Sequence, residues 1–202
     1  MKKLASILTA LVLTITAASA QKAAPIDEAA AFKSLNQHVD QPLTKGLVDP
    51  PIKSRTYKSL GKGVGVEIVE FEPESPNAAP VRVEHPFVAV PILFVVGKDE
   101  LLDSVSRDNV KVITSIIGKI MAADPTAKFT IEGHSSAEGD REKNRFLSKK
   151  RARKMFSLLT AGQGVDSHKL DQVGFGPDYA TAPASASEFE LQKDRRVLVV
   201  RQ

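Results

Sequence analysis

The chain has 202 residues, 42% of them hydrophobic, which is enough apolar material for the core of one ordinary domain. Its formal charge is +4, and aromatic residues make up only 5%, which argues against stacking platforms for sugars or single-stranded bases. The absence of cysteine excludes disulfides, cysteine-based metal sites and a lipid-modified N-terminal cysteine.

The first twenty residues have the features of a secretory signal peptide. Lys2 and Lys3 give a positive start, an apolar stretch follows, and residues 18–20 (Ala-Ser-Ala) form a small-x-small cleavage pattern. We predict cleavage before Gln21, export from a bacterial cell, and a periplasmic or outer-membrane-associated location. The mature chain would carry a formal charge of +2, so its net charge does not indicate nucleic acid as a partner. No later segment is long enough to predict a transmembrane helix.

Residues 21–84 are polar and weakly patterned, and we interpret them as a linker or extended N-terminal arm. Pro50 and Pro51 would end any helix that reached them. Alternating apolar residues predict one strand within this arm, near residues 63–73. The arm is also where we expect contacts with an envelope protein partner.

Residues 85–202 show alternating strand and helix patterns. The predicted elements are a buried strand at 87–96, a helix that is capped by Ser106 or Asp108 and ends before Pro125, a strand at 127–134, a long helix at 140–160, a strand at 168–176 and a last strand at 195–202. This order predicts an α/β fold, a βαβαβ two-layer sandwich with helices on one face of a small mixed sheet.

The long helix places polar side chains next to the loop that precedes it. Asn144 and Arg151 are seven residues apart, so they lie on one side of the helix, close to the loop 135–139. Backbone N–H groups at a helix start favour anions, and arginine binds carboxylates through forked ion pairs. The pattern predicts a polar site, formed by the loop 135–139, Asn144 and Arg151, that binds a carboxylate-bearing ligand.

Structural interpretations of the same residues stay open. Arg151 lies among other basic residues of the helix and would be a solvated side chain if nothing bound it, and Asn144 would equally well bond the loop. His134 ends a strand without a nucleophile or metal partner in any known spacing, so we interpret it as structural. We predict no catalytic residue, no metal site and no cofactor, and therefore a protein that is not an enzyme.

Eight residues around this junction form a recognisable pattern: Gly133, His134, Gly139, Asn144, Leu147, Ser148, Arg151 and Ala152. The pattern resembles the core of the OmpA-like peptidoglycan-binding domain family, which includes the OmpA C-terminal domain and peptidoglycan-associated lipoprotein. The sequence VGFG at 173–176 is similar to that family's third strand, and KDRRV at 193–197 to its closing strand. The resemblance covers about 115 residues and does not extend to residues 21–84.

The resemblance implies noncovalent binding of peptidoglycan at the diaminopimelate residue of its stem peptide. In the family, an Asp and an Arg bind opposite ends of this zwitterion, and two later arginines follow. The Arg position is Arg151, the two later arginines are Arg195 and Arg196, and the Asp position holds Ser136. The implied peptidoglycan-binding residues are Ser136, Glu138, Asn144, Arg151, Arg195 and Arg196.

Ser136 has no negative charge to meet the ligand's ammonium group. Loss of a charge-assisted hydrogen bond weakens binding by ~10-fold, so the sequence predicts weakened or altered wall binding. Glu138 or Asp140 is a candidate substitute, and a stem peptide without that ammonium is a second explanation. The alternative function is an OmpA-like fold retained as a protein-interaction or scaffold module without wall binding.

Overall fold

The computed structural model describes residues 22–39, 51–73, 75 and 79–202. The signal peptide predicted for residues 1–20 lies outside this part of the chain. The elements are α1 (Glu28–Leu35), β1 (Ile52–Gly61), β2 (Val64–Phe71), β3 (Arg82–Val90), α2 (Ser104–Ala123), β4 (Phe129–His134), α3 (Arg141–Thr160), a 3-10 turn (Ser167–Lys169), β5 (Leu170–Gly176), α4 (Glu188–Asp194) and β6 (Val197–Arg201). Among the residues described, no helix has the length and apolarity to cross a membrane.

The strands form a mixed sheet in the order β1-β2-β3-β6-β4-β5. The first three strands are an antiparallel meander, and β6 lies between β3 and β4, antiparallel to both. Strands β4 and β5 are parallel and are connected through α3, as a parallel pair requires. The predicted α/β sandwich with helices on one face of a mixed sheet is confirmed.

The main core lies between one face of the sheet and helices α1, α2 and α3. In α2 the buried positions Ile113, Ile117 and Ile120 follow the predicted helical spacing, and each is at most 1% exposed. The helix begins at Ser104 rather than at either predicted cap, because the side chain of Asp103 accepts a hydrogen bond from the backbone N–H of Ser106.

Two glycines bring α3 close to the sheet. A Cβ atom on Gly133 would lie 2.2 Å from the carbonyl oxygen of Ser148, and one on Gly174 would lie 2.3 Å from the backbone nitrogen of Lys149. Any side chain at these positions of β4 and β5 would therefore push the helix outward. The close approach fixes the N-terminal half of α3 against the ends of β4 and β5.

The N-terminal region differs from the predicted linker. Its described residues include α1, which buries Ala31 and Leu35 in the main core, and the β1–β2 hairpin, which pairs with β3. Strand β2 lies where the alternating pattern predicts a strand near 63–73. The linker interpretation missed β1, which has few apolar residues, and the burial of α1 in the main core, since both depend on partners distant in sequence.

The first predicted domain strand is also displaced. Strand β3 begins at Arg82, before the expected boundary at residue 85, and stops at Val90 instead of continuing to Val96. Proline has no backbone N–H for the ladder, and Pro91 follows the last strand residue. Residues 91–103 then form an irregular connection that includes a bridge between Phe94 and Leu101.

The face of the sheet opposite the helices carries a buried polar cluster. The guanidinium of Arg55 on β1 pairs with Glu67 on β2 and with Glu132 on β4, the latter at 3.0 Å. The hydroxyl of Tyr57 donates to Glu132 Oε2 at 2.8 Å. Both carboxylates are at most 1% exposed, so this face is closed to solvent at these positions.

Candidate functional site

A pocket of about 570 Å³ opens between the first half of α3, the loop 135–139, the connection after β3, and α4. It is lined by five of the six residues implied by the sequence, Ser136, Glu138, Asn144, Arg151 and Arg195. Much of the remaining lining is apolar: Ile92, Leu93, Phe94, Val96, Leu102 and Leu147. A second pocket of similar volume, between α2 and α3, contains none of the implied residues. The first pocket is therefore the candidate site.

Arg151 is a cation without a carboxylate partner in this pocket. Its Nε donates to the carbonyl oxygen of Lys98 at 3.1 Å, and its guanidinium lies 4.9 Å above the centre of the Phe94 ring. In the described part of the chain no carboxylate lies within ion-pair distance of it. Burial, with repulsion from Arg195, lowers the pKa of Arg151, against the attraction of Asp99. A partly buried, unpaired cation favours an anionic ligand.

Arg195 is, by contrast, surrounded by acceptors. Its Nη2 lies 2.9 Å from a carboxylate oxygen of Glu138 and 3.2 Å from one of Glu188, and its Nε donates to the hydroxyl of Ser136 at 3.2 Å. Both glutamates are largely exposed at the mouth of the pocket. The pocket thus has an unpaired cation at Arg151 and, at its mouth, an acidic rim that consists of Glu138 and Glu188 beside Arg195.

Glu188 was not found by sequence reasoning. It lies in the first turn of α4, next to the cap Ser187, whose capping box with Glu190 is visible in the sequence and locates the start of the helix. The pairing of Glu188 with Arg195 could not be found this way, because it depends on how α4 and the following segment fold back on the loop. The rim therefore has two carboxylates where the sequence indicated one.

Ser136 and Asn144 organise the loop. Ser136 is only 4% exposed, and its hydroxyl faces Arg195 at the position where the family pattern has a carboxylate. The side-chain amide of Asn144 donates to the carbonyl oxygens of Glu138 at 2.6 Å and Ser136 at 3.4 Å. Asn144 thus makes the loop contact that the structural interpretation expected, while remaining part of the pocket lining.

Arg196 lies away from the pocket. Its Nη1 is 3.0 Å from Asp194 Oδ1, and its guanidinium is 5.7 Å from the centre of the Tyr57 ring. Asp194 is fully buried; despite this burial, hydrogen bonds from Ala182 and Thr181 keep its pKa below the ordinary value. Neighbouring side chains in extended backbone point to opposite faces, so the two arginines separate into a pocket residue and an interior ion pair.

His134 is buried beside the ring of Tyr57, which Arg196 also contacts. It is 2% exposed, its Nε2 lies 3.2 Å from Glu132 Oε2, and its ring packs 5.2 Å from Tyr57 and 5.5 Å from Phe175. Burial, with repulsion from Arg196 and Arg55, lowers the pKa of His134 to about 3. The imidazole is therefore neutral near pH 7. No group of three or more His, Asp or Glu side chains within the described ranges is arranged to hold a metal ion.

One family model matches the part of the chain that contains this pocket. The model described as the OmpA family matches residues 93–195, just over half of the chain and all of the lining of the pocket except Ile92. A sequence comparison with curated proteins gave no match.

Solved structures with similar folds include three envelope proteins. The periplasmic domain of Helicobacter pylori MotB is 18% identical, with 76% of this chain and 87% of that chain covered and a TM-score of 0.50. The peptidoglycan-associated lipoprotein from Burkholderia pseudomallei is 21% identical, with 55% and 88% covered and a TM-score of 0.46. The cell wall anchor of the T6SS from Pseudomonas aeruginosa is 20% identical, with 58% and 79% covered and a TM-score of 0.46. At these identities the likeness concerns the fold alone.

Proposed function

Since the chain belongs to the OmpA family, we propose that it binds peptidoglycan noncovalently at the cell envelope through the pocket around Arg151. Domains of this family are binding modules rather than enzymes, and they commonly bind peptidoglycan. The observation that carries the proposal is the position of Arg151, a partly buried guanidinium in an apolar-walled pocket with no carboxylate partner among the described residues. A carboxylate of the stem peptide supplies that partner.

The arrangement of charge suits a zwitterionic ligand such as diaminopimelate. Its carboxylate would pair with Arg151, and its ammonium would lie at the rim formed by Glu138 and Glu188. The aliphatic carbons between them would pack on apolar lining residues such as Leu93 and Leu102. Asn144 would contribute by keeping the loop carbonyls in place.

We propose that Ser136 weakens the binding of such a zwitterionic ligand. A ligand ammonium would compete with Arg195 for Glu138 and Glu188, since both carboxylates already bond that guanidinium. Ser136 adds only a neutral hydroxyl, which is itself bonded to Arg195. Recognition would therefore depend on the carboxylate end of the ligand, and ligands without the ammonium would lose little affinity.

The alternative is a scaffold module that uses the fold without wall binding. The observation that favours it is that the charge of Arg195 is already balanced within the chain, because Arg195 bonds Ser136, Glu138 and Glu188. In that case Arg151 would contact an acidic side chain of a protein partner. We also propose, from the leader pattern of residues 1–20 and the family, a periplasmic or outer-membrane-associated location and an envelope protein partner that contacts residues 21–84.

Co-sedimentation with purified diaminopimelate-type sacculi tests wall binding. We expect wild-type protein to pellet with sacculi and Arg151→Ala to lose affinity by about 10-fold or more, because it removes the charge-assisted contact. Arg107→Ala, an exposed arginine of α2 outside this pocket, is the matched control and should bind like wild type. Free diaminopimelate should release the wild-type protein. If wild type stays in the supernatant at low salt, the proposal is wrong and the scaffold alternative is favoured.

A further inference from the structure

The outward side of α3 carries a basic surface that the pocket does not use. We define this basic face as Lys143, Phe146, Lys149, Lys150 and Arg153, all of them exposed. Two other arginines of the helix, Arg141 and Arg145, are paired with Asp178. None of the four cations of the basic face has a carboxylate within ion-pair distance in the described part of the chain. Glu142 is the one acidic residue of the helix.

Four of the five residues of the basic face lie opposite the buried side of the helix, and Lys149 lies about a quarter turn from that side. At 100° per residue, Phe146, Lys150 and Arg153 lie about half a turn from the core positions Ser148, Ala152, Met155 and Leu159. Phe146 is 62% exposed, and the ammonium of Lys150 lies 4.7 Å from the centre of its ring. An aromatic side chain thus projects from the middle of a cluster of unpaired cations.

We propose that the basic face docks the domain on an anionic membrane surface. Lysine and arginine side chains attract the phosphates of acidic lipids, and each cation near such a surface adds to the binding. Phe146 favours a membrane over a soluble polyanion, because a bilayer offers an apolar layer beneath its charged headgroups and a polymer in water does not. The occupant that fits charge and aromatic together is therefore an anionic lipid bilayer.

This inference is independent of the proposed wall binding. Asn144 and Arg151 lie on a flank of α3, between its buried side and the basic face, and they line the pocket. A domain attached through the basic face would therefore keep the mouth of the pocket accessible. Arg151→Ala should leave lipid binding unchanged, and loss of the basic face should leave wall binding unchanged.

Vesicle co-sedimentation tests the proposal with the predicted mature chain, residues 21–202, because an apolar leader would itself bind lipid. We expect binding to phosphatidylcholine vesicles that contain phosphatidylglycerol, little binding to pure phosphatidylcholine, and weakening by salt. The triple variant Lys143→Ala, Lys150→Ala and Arg153→Ala should lose about 10-fold or more in affinity. The charge-matched control is the triple variant of Lys53, Lys58 and Lys128, which are exposed elsewhere, and it should lose much less.

A second pair of variants tests the aromatic contribution. Phe146→Ala should weaken binding to the acidic vesicles severalfold. Phe189→Ala is the matched control, because Phe189 is 74% exposed and also has a lysine over its ring, but lies on α4 among acidic residues. Equal losses in both triple variants would overturn the proposal, as would no wild-type binding to acidic vesicles. Unchanged lipid binding by Phe146→Ala, together with equal affinity for heparin, would indicate a soluble polyanion instead.

Discussion

Arg55 on β1 and Glu132 on β4 form an ion pair of 3.0 Å, although β2, β3 and β6 lie between their strands in the sheet. The contact requires the sheet to curl, so that β1 comes over the face opposite the helices. Tyr57 on the same strand supports this arrangement, since its hydroxyl donates a hydrogen bond to Glu132 and its ring packs against His134 and Tyr179. The N-terminal hairpin thereby covers the side of the sheet that the helices leave open.

Removal of the Arg55 side chain should strongly destabilise the fold. Arg55→Ala would leave the buried carboxylates of Glu67 and Glu132 without their shared cation, and breaking a buried ion pair from one side costs about 3–5 kcal/mol. The exposed pair of Arg82 with Glu84 provides a control, since Arg82→Ala should change the free energy of unfolding by about 1 kcal/mol at most. Urea unfolding at pH 8, above the pKa of Glu67, measures both values, and a loss in Arg55→Ala as small as that in Arg82→Ala would show that the Arg55 cluster is not important for stability.

The same cluster should make stability depend on pH in two opposing ways. Burial, with repulsion from Glu132, raises the pKa of Glu67 from 4.5 to about 7, so its contribution to stability is complete below pH 4.5 and is lost as pH rises to about 7. His134 has its pKa lowered from 6.5 to about 3, so its contribution is complete above pH 6.5 and is lost as pH falls to about 3. The two effects oppose each other between pH 4.5 and 6.5.

Two variants separate these effects in unfolding experiments across pH 3 to 8. Relative to wild type, Glu67→Gln should gain stability with rising pH between 4.5 and 7, by up to ~1.4 kcal/mol per pH unit. His134→Phe should lose less stability than wild type as pH falls from 6.5 to 3. Parallel pH profiles for wild type and both variants would contradict the assigned pKa directions. The pKa of His85 is also lowered by burial, so some acid sensitivity should remain in His134→Phe.

Ser136→Asp should strengthen wall binding. The new carboxylate would lie beside Arg195, whose Nε is 3.2 Å from the present hydroxyl, and would release Glu138 and Glu188 to meet a ligand ammonium. We expect affinity for diaminopimelate-type sacculi to rise by about 10-fold. Ser136→Asn has similar size without the charge and should show no such rise. If both variants bind like wild type, the ligand of this pocket has no ammonium at that position.

Gly133→Ala should lower both stability and wall binding. The added methyl group would meet the backbone of α3 at Ser148, and overpacking against backbone costs about 1–3 kcal/mol or more. The helix would shift and carry Arg151 away from the loop. Gly118→Ala is a milder comparison, because its Cβ would lie 3.1 Å from the nearest atom. In thermal unfolding, the melting temperature of Gly118→Ala should be well above that of Gly133→Ala. The reverse ranking would mean that α3 has room to move on the sheet.

The sequence by itself determined the elements of the domain that repeat a strong local pattern. The isoleucine spacing of α2 predicts its buried side, and the order of strands and helices predicts the α/β sandwich, because periodicity of 2 or 3.6 residues is a property of the local chain. The motif around Gly133 and Arg151 likewise lies at the junction of β4 and α3, and it accounts only for the part of the pocket lining that is contiguous in sequence, residues 135–151.

Only the tertiary structure decided which charges are paired. Arg195 and Arg196 are adjacent in sequence, yet one lies in the pocket with Glu138 and Glu188 while the other is paired with the buried Asp194. The partner of Arg55 is likewise decided by tertiary structure, because Glu132 lies 77 residues further along the chain. Such pairs depend on sheet curvature and on where separate loops converge, and local propensity carries no information about either. The electrostatics of the site therefore come from long-range packing.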